Sequence, residues 1–294
     1  MEAGKAGIVR PDGVKVTYRR MKFDFEDQGF DRYWHDNSAF KSLFWTQLST
    51  AFEPGEKFFI DSARALKDKL TDPALREEIA EFCKQEGHHT AQHLKFDRKN
   101  EELGIDIKAC RNRYKWILDR ARKNLDPMEM LAATCALEHF TACFADSFFK
   151  YPELSDGSDP KVMALWAWHA AEEAEHRATC YDIYLQLDGN SAYKYFQRTT
   201  TLIGAWALIL GAAFLNTGIL LWKDKKLFTR DTWRGLGYLF GRHGLVTGLG
   251  PAFFDYFRPR FHPWKGVDSS SIARWQEQNR KYIHNLPTEA AAAA

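Results

Sequence analysis

Residues 166–184 read WAWHAAEEAEHRATCYDIY, and residues 82–93 read FCKQEGHHTAQH. The first holds His169, Glu173 and His176 at His-x3-Glu-x2-His spacing; the second holds Glu86 and His89 at Glu-x-x-His spacing. Residues three and four apart on a helix share one face, so each set points in one direction. Two further glutamates stand alone: Glu56 in LSTAFEPGEKFFI (48–60) and Glu138 in CALEHFTACF (135–144). Together these are four carboxylates and three imidazoles carried on four predicted helical segments.

The segments also agree in height. A helix running to about Leu70 is followed by Thr71-Asp72-Pro73, a turn and helix start. Glu56 lies about fifteen residues before that turn and Glu86 about fourteen after it, so both sit roughly 21 Å from the same end of an antiparallel pair. The second pair repeats the pattern. Glu138 lies about twelve residues before the loop YPELSDGSDP (151–160) and Glu173 about thirteen after it. Two hairpins with ligand-type residues at matched heights predict convergence on two metal ions.

Each residue has a blander reading. Glu138 could form a salt bridge inside the bundle, since a lone charge in an apolar run must be paired or ligating. Glu86 has polar neighbours and could be solvated. Glu53 is an alternative to Glu56 but precedes the Pro54-Gly55 break. Of the three glutamates at 172, 173 and 175, only Glu173 is four after His169 and three before His176. His88 and His139 read as surface or core residues. His93, Glu172 and Asp182 are candidates for orienting the ligands from behind.

Composition sets the bounds. The chain has 294 residues, 45% hydrophobic and 27% charged, enough for a large core. A net charge of +2 leaves no nucleic-acid footprint, and 15% aromatic residues suit an apolar pocket or a membrane-facing surface. The five cysteines form no Cys-x-x-Cys pair and read as small core residues in a reduced, cytoplasmic protein, with attachment to the inner face of a membrane left open.

The predicted organisation is an arm (1–37), a metal-binding bundle (38–190), an apolar and aromatic helical region (191–286) and a disordered tail (287–294). Val14–Phe25 alternates in strand fashion, and a kink or restart is expected at Pro54. Helices are predicted at about 73–103, 107–125, 127–150 and 160–187. The helix at 107–125 is the crossover that joins the two hairpins of an all-α, ferritin-like bundle. Thr199–Trp222 carries no charge and is long enough to cross a bilayer. It reads as a buried helix, a membrane span or a homodimer contact.

The segments RRMKFDF (19–25), LSTAFEPGEKFFI, FCKQEGHHTAQH, ALEHFTA (136–142) and WAWHAAEEAEHRATCYDIY resemble a bacterial family described as predicted metal-dependent hydrolases, over most of residues 15–260. The third histidine makes the ligand pattern similar to that of the di-iron N-oxygenase acting on p-aminobenzoate. The resemblance implies Glu56, Glu86, His89, Glu138, His169, Glu173 and His176 as seven metal ligands. The apolar segment after Asp188 has no counterpart there, so that enzyme's substrate does not carry over.

The expected activity is an O2-dependent oxidation of an apolar or lipid-like molecule. Two iron ions would serve, or manganese, or a mixed pair. An external electron-transfer protein is expected, because the chain has no dinucleotide motif and no cysteine cluster. A dinuclear hydrolase is the second reading, and a non-catalytic metal-binding, membrane-associated bundle the third.

Overall fold

The computed structural model describes residues 10–25, 29–188 and 192–280. Residues 1–9 of the arm, residues 189–191 just past the predicted 160–187 helix, and the 287–294 tail lie outside the described residues. The fold is all-α. Among the described residues, ten α-helices follow one another: α1 (Ala39–Leu66), α2 (Pro73–Glu102), α3 (Ile107–Asn124), α4 (Pro127–Lys150), α5 (Pro160–His176), α6 (Thr179–Asp188), α7 (Ala192–Lys223), α8 (Arg230–Phe240), α9 (Leu245–Asp255) and α10 (Ser270–Asn279).

Local chemistry sets the helix starts. Asp72, Asp126 and Asp159 each precede a proline and accept hydrogen bonds from first-turn backbone N–H groups. Proline at the first helical position loses nothing, because its N–H would be orphaned there anyway. Asp126 and Glu129 complete a reciprocal capping box. Each cap contributes about 1 kcal/mol. With those starts fixed, α1 packs on α2 and α4 packs on α5, while α3 crosses from one hairpin to the other against α1.

Three expectations change. The helix α1 runs unbroken through Pro54, with no restart. A mid-helix proline costs about 3 kcal/mol, and the packing of α1 against both α2 and α3 outweighs it. The predicted helix 160–187 is instead two, α5 and α6, separated at Arg177. The Arg177 Nε donates to the Ala174 carbonyl (3.2 Å) and its guanidinium reaches Asp146 of α4 (2.6 Å), so a side chain takes the acceptor the next turn would use. Finally, Val14–Phe25 forms no strand. The expected alternation is present, with Met21, Phe23 and Phe25 buried and Lys22 and Asp24 exposed. In place of a neighbouring strand, side chains of α2 meet its backbone. The Tyr18 N–H donates to Glu81, the Phe23 N–H to Gln92, and the Met21 carbonyl accepts from His88.

The apolar helix α7 is covered by the bundle on one face only. It is the one described helix long and apolar enough to cross a membrane, yet a third of its most apolar window is buried in the protein. Leu202, Trp206, Ala213 and Leu220 face the bundle, whereas Ile203, Leu208, Leu215 and Trp222 face outward. Its buried Asn216 accepts from Arg113 of α3 (2.8 Å). Helix α8 sits close against α1 because residue 235 is glycine: a Cβ there would lie 2.1 Å from the Phe40 ring.

Candidate metal centre

The seven sequence-predicted ligands come from four helices: Glu56 from α1, Glu86 and His89 from α2, Glu138 from α4, and His169, Glu173 and His176 from α5. All seven meet inside the bundle, none more than 3% exposed. Helix α5 is buried on every side from Trp168 to His176, so its charged residues must find partners inside the protein.

The cluster has two poles. At one, Glu56, His89 and His169 bring ligand atoms within 4.8 Å of one another; at the other, Glu86, Glu138 and His176 do; a third triad, Glu86, His89 and Glu173, links the two. Glu173 stands between them. Its Oε1 lies 2.9 Å from His169 Nε2, and its Oε2 lies 3.4 Å from His176 Nε2. The His176 Nε2 is also 3.1 Å from Glu86 and 3.3 Å from Glu138. Glu173 thus turns one carboxylate oxygen toward each pole, and would help hold metal at either.

The donor atoms point inward without hydrogen bonds. Both oxygens of Glu86, both of Glu138, Glu56 Oε1, Glu173 Oε2, His89 Nδ1 and His176 Nε2 are buried and make no hydrogen bond. A buried polar group left unmade costs about 1–3 kcal/mol, more when charged. Eight such atoms around one centre fit a pair of hard cations, since carboxylate and imidazole suit iron or manganese. Electrostatics agree. Burial pushes the carboxyls of Glu56, Glu86 and Glu138 well above the ordinary range; a bond from Thr90 partly opposes this at Glu56, and repulsion from Glu173 adds to it in all three. Burial also acts against Glu173, but His176 and His169 hold it well below that range. Burial and the neighbouring His169 push His89 down, toward the neutral ring a metal requires.

A second ring aims each imidazole. The His89 Nε2 faces Glu172 (3.0 Å), leaving Nδ1 for the centre. The Arg19 guanidinium from the arm spans Glu172 and Glu175, with 2.6 Å contacts to Glu175. Burial still pushes Glu172 up to about 8, against the pull of Arg19. The His176 Nδ1 donates to Gln85 Oε1 (3.1 Å), whose amide in turn donates to Glu175. The third chain starts at Asp97, which accepts from Ser49 (2.6 Å) and Arg111 (2.8 Å). The Ser49 hydroxyl faces His93 Nδ1 (2.9 Å), and His93 Nε2 faces His169 Nδ1 (2.9 Å). Because the serine donates to Asp97, each ring N–H in this chain points outward and His169 Nε2 is left for the centre. Such outer partners typically tune metal affinity by about 10–100-fold.

His93 and Glu172 thus stand where the sequence placed them. Asp182 does not: it pairs with His262 (3.0 Å) and touches no candidate ligand, because the break at Arg177 starts a new helix before it. Glu53 turns away to Arg111. His88 and His139 bond to the carbonyls of Met21 and Ala252. The five cysteines are buried and free, and burial raises their thiol pKa values. Arg19, Gln85, Ser49, Asp97 and Glu175 carried no periodic signal. Only the one-sided apolar environment of α5 hinted that its extra glutamates needed partners.

A cavity of about 310 Å³ reaches the centre from one side, with Glu56, His169 and Glu173 at its inner end. Its walls are otherwise mostly aromatic and aliphatic, including Phe52, Phe59, Phe140 and Phe144. Its size falls within the range of about 300–1,000 Å³ usual for small-molecule sites.

These features define a helical protein with a buried carboxylate–histidine cluster fit for metals. The chain belongs to the family described as predicted metal-dependent hydrolase, whose model matches residues 17–266. No curated protein and no solved structure matches it.

Proposed function

We propose that the protein is a dinuclear metal enzyme on a ferritin-like plan that oxidises an apolar or amphipathic substrate with O2, using electrons from a separate electron-transfer protein. The observation that carries this reading is the contrast between the two sides of the centre: a dense carboxylate–imidazole ligand set, and an apolar cavity leading to it. Two redox-active ions bound by the seven residues would supply the electron-transfer and Lewis-acid chemistry. The protein's share is positional. Glu56, Glu86, Glu138 and Glu173 supply negative charge matched to two cations. The second ring fixes each imidazole. The phenylalanines of the cavity orient a carbon chain and exclude water, which protects reactive states from side reactions.

The second reading is a dinuclear hydrolase, favoured by the family description. It needs polar groups to hold a carbonyl or phosphoryl oxygen. Away from Glu56, His169 and Glu173, the cavity's polar side chains among the described residues are few. One of them, Tyr114, is already engaged with Gln47 (2.7 Å). Oxygen uptake by the iron-loaded, chemically reduced protein separates the readings. Uptake stimulated by an apolar substrate supports oxidation. Cleavage of an ester or phosphate with no oxygen consumed would establish hydrolysis instead.

A further inference from the structure

The cavity comes nearest to solvent at α7. Of the residues that line it, Gly204 and Leu208 are exposed, and both belong to α7. Ile117, Leu118 and Ala121 of α3 also line it and are half-buried. Its mouth is therefore at α7, and its lining joins two helices of opposite character.

The α7 side is an apolar surface. Ile203, Leu208, Leu215 and Trp222 are each more than half exposed, at 51, 56, 54 and 66%. The last three recur every seven residues and lie along one line of the helix. Aromatic residues from the following segments extend this surface: Phe240 stacks on Phe214, and Phe228 meets Trp222 edge-on. Phe240, Phe228, Trp233 and Phe254 are themselves exposed. A contiguous apolar surface of this kind marks an interaction site on an otherwise soluble protein. The α3 side is basic. Between Ile107 and Asn124 it carries Lys108, Arg111, Arg113, Lys115, Arg120, Arg122 and Lys123 against one acid, Asp119. Trp116 is 59% exposed, with the Arg120 guanidinium 4.4 Å over its ring. An exposed indole beside cations is the side-chain pairing found at the boundary between water and lipid.

We infer that this α3–α7 rim docks on an anionic membrane leaflet and that the cavity draws from it a single-chain anionic amphiphile, its head held at the rim and its far end at Glu56, His169 and Glu173. The assignment rests on the metal-enzyme reading above. A leaflet suits the surface better than a second copy of the chain, because a packed helix–helix contact would close the mouth, whereas fluid lipid keeps it open and supplies the ligand. The orientation follows from charge. No lysine or arginine lines the cavity among the described residues, while Glu56 and Glu173 occupy its inner end. An anionic head drawn inward would cross an apolar passage unpaired, at high cost. An alkyl end meets no such barrier. The reaction would then fall on carbons remote from the head group.

The test uses the full-length, metal-loaded protein and two readouts that do not depend on turnover. Flotation with phosphatidylcholine vesicles containing phosphatidylglycerol measures docking. Wild type should float. A Leu215→Glu/Trp222→Glu variant should partition roughly a hundredfold less, and an Arg120→Glu/Lys123→Glu variant should lose its preference for the anionic lipid. Unchanged melting and metal content would show that both variants fold. Quenching of intrinsic fluorescence measures orientation, because Trp45 and Trp166 line the cavity. Hexadecanoate brominated at its terminal carbon should quench more than hexadecanoate brominated beside the carboxylate. Gly204→Phe should abolish the difference, since a side chain there fills the mouth and a Cβ meets no other atom within 4 Å. Absence of flotation, or a dimer that the α7 variant splits into monomers without affecting lipid binding, overturns the docking. Equal or reversed quenching overturns the orientation. Each failure would leave the metal count unaltered, so it stays separable from failure of the metal reading.

Discussion

Replacing Glu138 by methionine should stabilise the metal-free protein and destabilise the metal-loaded one. The metal-free gain comes from the two Glu138 oxygens, both buried without a hydrogen bond. Removing a buried unsatisfied group of this kind is worth about 1–3 kcal/mol, and methionine has similar length and adapts to irregular cavities. For a chain of this size the melting temperature should rise by roughly 2–10 °C. The sign changes when metal is present. A ligand that binds only the folded state at a thousand times its Kd stabilises by about 4 kcal/mol. The variant keeps Glu86 and His176 but loses the third member of their pole. Losing that stabilisation while keeping the metal-free gain leaves it behind wild type by roughly 1–3 kcal/mol. Thermal and denaturant unfolding of both proteins, each with iron and with a chelator, measures all four states. If methionine destabilises both forms alike, Glu138 is a structural ion-pair partner of His176, and the argument from orphaned oxygens fails.

Three other outcomes follow. Because the raised carboxyls of Glu56, Glu86 and Glu138 must give up protons to hold a cation, metal binding should release protons and weaken as pH falls; calorimetry in buffers of different ionisation enthalpy reads this directly. Glu172→Gln and Gln85→Ala should each weaken metal binding by about 10–100-fold while leaving the fold intact, as competition with a fluorescent chelator would show. His35, buried against the Leu154 carbonyl, has its pKa pushed down from 6.5 to about 4 by burial and by Lys41. Between those values the unfolded chain binds a proton that the folded one refuses, so stability falls as pH drops through that window, by at most about 1.4 kcal/mol per pH unit. In denaturant melts, His35→Gln should flatten the slope by that amount, and an unchanged slope would rule His35 out as its source.

The parts legible in the sequence were those fixed by helix periodicity and caps. Helix starts predicted at about 73, 127 and 160 fall at Pro73, Pro127 and Pro160, each behind a capping aspartate. Matched heights of Glu56 with Glu86, and of Glu138 with Glu173, depend only on rise per residue, and these side chains do converge. What stayed hidden depends on long-range partners. Arg19 reaches Glu175 across 156 positions, and Ser49 meets Asp97 across a helix pair, with no local pattern to announce either. The alternation of Val14–Phe25 reported its burial correctly, but a strand also needs a backbone partner, and side chains of α2 supply that role. For Thr199–Trp222, composition gave length and apolarity. Only the packed helix shows that one face is covered and the other is open.

The central claim is that these seven residues hold two metal ions. Metal identity and count per chain, in protein purified from iron-supplemented cells, test it most directly. The account predicts about two irons per chain, lost together in Glu138→Ala and in His176→Ala variants that still fold. A single ion per chain, or a metal content indifferent to both substitutions, would contradict it.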